Sequence, residues 1–156
     1  MIERKLEDLF LLMEDVGRSI HSSLCMELRR LSSPATAKQM FICASMCRCG
    51  GRVTVTDLAR EMGVSLSAST VAAKRMNKLG LLQRFRDKID RRVVWLELTA
   101  EGAAGVAFFS VIQKQVMQMY FTKLSAEELE CLYRIYPKLY KLTKNALAPE
   151  NDENMY

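Results

Sequence analysis

The sequence predicts a mainly α-helical protein with a small β-wing, in which a winged helix-turn-helix is flanked by helices at both ends. Three observations carry that expectation. Two short helical patterns, residues 54–62 and 65–79, meet at Gly63-Val64-Ser65; the stretch that follows, to Leu98, alternates at strand period about a polar turn; and long amphipathic stripes lie on either side.

In chain order, residues 2–30 hold no proline and place Leu6, Leu9, Phe10, Met13, Val16, Ile20, Leu24 and Leu28 at steps of three and four. They predict one amphipathic helix of about 44 Å, against a radius of gyration of about 15 Å for a compact domain of this size. Such a helix outruns its own domain, so a partner helix is expected on the stripe. Ser32-Ser33-Pro34-Ala35 breaks the pattern, and Thr36 with Gln39 restarts it as a capping box. The helix that follows is expected to run to about Cys47, with Met40, Ala44 and Cys47 on its apolar face and Cys43 beside them, and to close at Cys49-Gly50-Gly51. Arg52 and Val53 suit a short strand paired with the wing.

Thr54 is expected to cap the first central helix, answered by Asp57, and Gly63 to end it. Ser65 caps the second, whose packing side is expected to be Ala72, Ala73, Met76 and Leu79, and Gly80 supplies its left-handed stop. The hairpin is expected as a strand from Leu81 to Arg86, a turn at Asp87-Lys88-Ile89-Asp90 and a strand from Arg91 to Leu98. Residues 103–124 read as helix, with Val106, Phe109, Ile112, Val116, Met119 and Tyr120 as packing residues. Ser125 and Glu128 form another capping box, opening a last helix that Pro137 is expected to bend or interrupt. The flanking helical regions, 1–35 and 103–147, are expected to pack together as a dimerisation region beside a DNA-binding domain at 36–102, and the polar tail at 148–156 is expected to fray.

Charge gives the centre its chemistry. Residues 52–92 hold ten Lys and Arg against four Asp and Glu, a net +6, while the rest of the chain is net −1. A basic surface on such a motif suits nucleic acid, although a solvated face is the commoner fate of a charge run. No apolar run approaches 18 residues, the amino terminus lacks a signal-peptide pattern, and five cysteines do not suit a disulfide framework. A cytoplasmic protein without a membrane span or cofactor is therefore expected. One histidine, no glycine-rich phosphate loop after a strand, and no paired nucleophile and base leave nothing from which to build an enzyme's site.

On the second central helix the expected DNA-binding side chains are Ser65, Ser67, Ser69, Thr70, Lys74 and Arg75, small polar and basic groups suited to the major groove and its phosphates. The hairpin adds Arg84, Arg86, Lys88, Arg91 and Arg92, and an arginine at its tip suits the narrow minor groove, where the potential is most negative. Asp90 is expected to orient that arginine or to make an Asx turn, two compatible roles.

These residues resemble the multiple antibiotic resistance regulator (MarR) family. Leu58-Ala59, Gly63-Val64-Ser65, Gly80-Leu81, Arg84, Asp90-Arg91-Arg92 and Leu98-Thr99-Ala100-Glu101-Gly102 match its pattern in order and spacing across essentially the whole chain. The resemblance implies a homodimer with interlocked terminal helices on a pseudo-palindromic operator, Arg92 as the minor-groove residue and Asp90 as its partner. It also implies a repressor released by a small-molecule or other effector. Ser69 and Val71 depart from the pattern: a branched apolar residue is usual at the first, and arginine or another polar residue is frequent at the second. The alternative function is a protein-interaction module that uses the basic face without specific DNA binding.

His21 and Cys25, one helical turn apart, and Cys43, Cys47 and Cys49 are the effector or redox candidates. Residues at i and i+4 can share a metal and thiols can be oxidised, but the Cys43, Cys47, Cys49 spacing is not a zinc-ribbon CxxC pair, and packed inert thiols are the plainer reading. The ten methionines and five tyrosines suit either core packing or an adaptable pocket. Trp95 is expected to pack at the base of the wing.

Overall fold

The computed structural model describes residues 2–147; the tail expected to fray lies outside them. In chain order these residues form α1 (Ile2–Arg30), α2 (Ala37–Arg48), β1 (Arg52–Thr54), α3 (Val55–Met62), α4 (Leu66–Lys78), β2 (Leu82–Arg86), β3 (Val94–Leu98), α5 (Ala100–Phe121) and α6 (Ala126–Leu147). This is the mainly helical, winged arrangement expected. Two compact units divide the described residues, with the boundary between Val116 and Met117.

In the first unit local capping explains where the helices begin. The Gln39 amide donates to Thr36 Oγ1 at 3.3 Å and the Thr36 amide to Gln39 Oε1 at 2.8 Å, a reciprocal capping box for α2. The buried face of α2 is Ala37, Met40, Cys43 and Met46, with Ile42. Ala44 is only half-buried and Cys47 is exposed, which corrects the expected face. Apolar residues surround the axis of α2 so evenly that periodicity alone does not choose a face; packing against α1 does.

Leu24 and Leu28 of α1 are buried in the core, whereas Leu6, Leu9, Phe10, Met13 and Val16 on the same stripe are exposed. Fully burying one such side chain contributes about 1.5–3 kcal/mol. The amino-terminal part of the stripe is therefore a large apolar surface that this chain leaves in water. From α5 the core takes Phe109, Ile112 and Val116, with Phe41 edge-on to Phe109 at 5.1 Å.

The sheet is antiparallel in the order β1-β3-β2. Its register pairs Val53 and Arg84 with Leu96, and Thr54 and Phe85 with Trp95. Alternation thus turns Val53, Leu82, Leu96 and Leu98 toward the core and sets Arg52, Phe85 and Trp95 on the opposite face. At the start of α5, Thr99 ties three elements together. Its hydroxyl donates to Gly80 O at 2.6 Å and accepts the Gly102 amide at 2.9 Å, and its own amide donates to Leu81 O at 3.2 Å.

In the second unit the Ser125 amide donates to Glu128 Oε2 at 2.8 Å and the Glu128 amide to Ser125 Oγ at 3.3 Å, the expected capping box of α6. The helix runs through Pro137 without interruption, although proline removes one backbone donor. Tyr133, Tyr136, Leu139 and Leu142 are exposed along it, and Met119 and Tyr120, expected to pack, are exposed on α5. The methionines divide accordingly: Met40, Met46 and Met76 are buried and Met13, Met26 and Met119 exposed. Among the described residues no helix is long and apolar enough to cross a membrane.

Candidate nucleic-acid interface

Two caps set the geometry of the helix-turn-helix. Thr54 Oγ1 accepts the Asp57 amide at 3.0 Å and donates to Asp57 Oδ2 at 2.7 Å, so the acid answers the hydroxyl rather than the backbone of its cap. Gly63 closes α3 in the left-handed region, φ 60°, and Ser65 Oγ accepts the Ala68 amide at 3.2 Å to open α4.

The rotation of α4 about its axis is fixed by Ser69, which is fully buried and donates from Oγ to Val55 O at 3.1 Å. With Ala73 and Met76 it forms the buried row. Ser69 is therefore corrected from a DNA contact to a clamp between α4 and the start of α3; a small hydroxyl fits that crowded position because a carbonyl lies within its reach. Leu79 is exposed and Ala72 half-buried, so the expected packing side is also rotated. On the outside lie Ser67, Val71, Lys74, Arg75 and Lys78, all exposed; Thr70 is half-buried, its hydroxyl donating to Leu66 O at 2.8 Å.

The hairpin departs from expectation in its loop. The strands end at Arg86 and resume at Val94, so Arg91 and Arg92 are loop rather than strand residues. Two aspartates cause this by capturing amides that a ladder would otherwise use. Asp87 Oδ1 accepts from the Ile89 amide at 2.8 Å and the Asp90 amide at 3.1 Å, and Asp90 Oδ1 accepts from the Arg92 amide at 2.9 Å. Asp90 thus holds the backbone of Arg92 in an Asx turn. The loop exposes Lys88, Arg91 and Arg92, with Ile89 98% exposed at its tip. Arg86 is exposed, and Arg84 is half-buried with an Nε that has no protein partner.

Sequence reasoning missed the anchor of this loop. Asp87 Oδ2 accepts the Trp95 indole N–H at 2.9 Å, and the Arg52 guanidinium lies over Trp95 at 4.4 Å and Phe85 at 5.0 Å. The strand register, which sets Trp95 opposite both Thr54 and Phe85, is the signal that could have found it.

The Trp95 bond, then the Ile89 and Asp90 amides, hold the Asp87 carboxyl below its ordinary 3.8. A depressed folded pKa means the anchor is complete above the ordinary value and is lost as pH falls through the lower folded one. Trp95 is the chain's one tryptophan, and as pH falls its fluorescence should titrate with a midpoint below the ordinary 3.8. Asp87→Ala should shift the emission at neutral pH with helical circular dichroism unchanged. An unshifted spectrum in that variant would refute the anchor.

Of the candidate sensing residues, His21 Nε2 and Cys25 Sγ meet at 3.5 Å. Burial, then its neighbour Cys47, pushes the Cys43 thiol up to about 11, so it stays protonated and unreactive at neutral pH. Cys47 and Cys49 are exposed. Among the described residues no three His, Cys, Asp or Glu side chains gather in a group that could hold a metal ion.

A sequence profile of the MarR family matches residues 43–94, from α2 through the wing loop. Over 120 residues the chain is 35% identical to the HTH-type transcriptional repressor MdtR of Bacillus subtilis (strain 168), covering 76% of this chain and 72% of MdtR. It is 32% identical over 89 residues to YwhA, an uncharacterised HTH-type transcriptional regulator of the same organism, covering 57% of this chain and spanning only 64% of YwhA. The solved structure of a mutant MarR from E. coli complexed with operator DNA is similar with a TM-score of 0.70 at 25% identity, over 89% of this chain and 98% of that one.

Proposed function

The chain belongs to the MarR family, and we propose that it is a homodimeric, sequence-specific DNA-binding transcriptional repressor, acting in the cytoplasm without enzymatic activity and released by a small-molecule or other effector. One observation carries the reading most directly. Lys88, Arg91 and Arg92 stand exposed on a loop whose backbone is pinned by two aspartates, so three cations are presented at low entropic cost. Beside this wing, the outer face of α4 offers Ser67, Lys74 and Arg75 to the major groove and Lys78 to phosphates. Ser65, Thr70, Arg84 and Arg86 complete the proposed contact set. Residues 36–102 form the DNA-binding part, and 1–35 with 103–147 the dimerisation part. The exposed stripe of α1 is the surface that a second copy would cover.

Two copies imply two half-sites about one helical turn apart on a pseudo-palindrome. Fluorescence anisotropy with labelled duplexes tiling the promoter upstream of its own coding sequence should find one preferred fragment. Its logarithmic salt slope should be about −0.9 per phosphate contact. Equal, weak affinity for every fragment and for random duplex would overturn the reading.

A further inference from the structure

Among the exposed side chains on the outer face of α4, mostly polar or basic apart from Ala68, Val71 stands 48% exposed at the centre. The buried row Ser69, Ala73 and Met76 fixes the helix's rotation. At 3.6 residues per turn, Val71 projects within about 15° of the direction opposite that row. Ser67 lies one turn before it and Arg75 one turn after, with Lys74 and Lys78 alongside.

We propose that Val71 is a specificity-determining residue that packs against the 5-methyl group of a thymine in each operator half-site; this rests on the DNA-binding reading above. Thymine's methyl is the apolar group that a base pair presents in the major groove; the other positions are hydrogen-bond donors and acceptors. Valine can satisfy none of those. Set against guanine, adenine or cytosine, it would strip water from a polar edge and return no partner, so the same side chain favours thymine and disfavours the rest. Valine is also stiff: in a helix one χ1 rotamer dominates, so its methyls are held in place before binding. The surrounding cations supply the phosphate contacts that would seat the helix at constant depth, as one-methyl discrimination requires.

The test uses the full chain and a random duplex pool. Repeated selection should enrich duplexes with an invariant thymine in each half-site. Replacing those thymines by deoxyuridine, which deletes only the methyls, should weaken binding about fourfold per half-site and roughly 15-fold for both. In Val71→Ala, whose exposed position keeps the fold intact, the thymine-to-deoxyuridine ratio should fall close to one. Enrichment with no methyl sensitivity at any thymine, or a sensitivity undiminished in Val71→Ala, overturns this proposal while leaving DNA binding standing. No enrichment of any duplex overturns the DNA-binding reading, and this proposal with it.

Discussion

Gly102→Ala is expected to lower the melting temperature by roughly 4–8 °C, about 2 kcal/mol net in a chain of this length. A Cβ at Gly102 would collide with the Leu81 carbonyl and crowd Leu98 Cδ1. Neither side can yield cheaply. Leu81 O already accepts the Thr99 amide, the Leu81 amide is held by Met76 O at 3.0 Å, and the Gly102 amide is fixed to Thr99 Oγ1. Alanine's better helix propensity returns about 1 kcal/mol, while overpacking against backbone costs about 3 kcal/mol or more, so the clash wins. Gly105→Ala is the control. Its Cβ would meet Met40 Cε at 3.3 Å, the far end of a flexible side chain that can move aside. Thermal denaturation followed by circular dichroism should separate the two variants clearly; equal melting temperatures would refute the close approach.

That joint also illustrates what local sequence can and cannot reveal. Leu98-Thr99-Ala100-Glu101-Gly102 was recognisable as a pattern, but its reason, a helix start pressed on the carbonyl of Leu81, lies in contacts between segments well separated in the chain. The caps at Thr36, Thr54, Ser65 and Ser125 were legible because each is completed within three residues. Failures came where two local signals competed. Arg91 to Leu98 carries strand alternation, but Asp87 and Asp90 take the amides of Ile89, Asp90 and Arg92, and the loop prevails up to Val94. On α4 a serine in the small, hydroxyl-rich run Ser67-Ala68-Ser69-Thr70 reads as groove-facing. Only the carbonyl of Val55, fourteen residues away, makes its burial affordable. Arg52 on Trp95 joins strands that only the sheet register brings together.

Arg92→Ala is expected to weaken operator binding on the order of 100-fold while leaving the dimer intact. Each wing would lose about 1.5 kcal/mol, and a dimer carries two. The salt slope should also fall by about 0.9 for each wing if the guanidinium displaces a counterion. Arg92→Lys separates charge from shape: it should keep the slope but recover only part of the affinity, because a compact ammonium lacks the planar fork that fits a narrow groove. Asp90→Ala then discriminates between two ways in which the acid could matter. As a mere negative charge near phosphates, its removal would strengthen binding. In the structure its Oδ1 holds the Arg92 amide at 2.9 Å, so removal frees the loop and ordering it must be done at the DNA's expense. Asp90→Ala should therefore weaken binding several-fold although the variant is more positive, and most of that loss should vanish in an Arg92→Ala background, since Arg92 is the residue whose amide Asp90 holds. Tighter binding by Asp90→Ala would show that the acid acts through its charge and not through the turn.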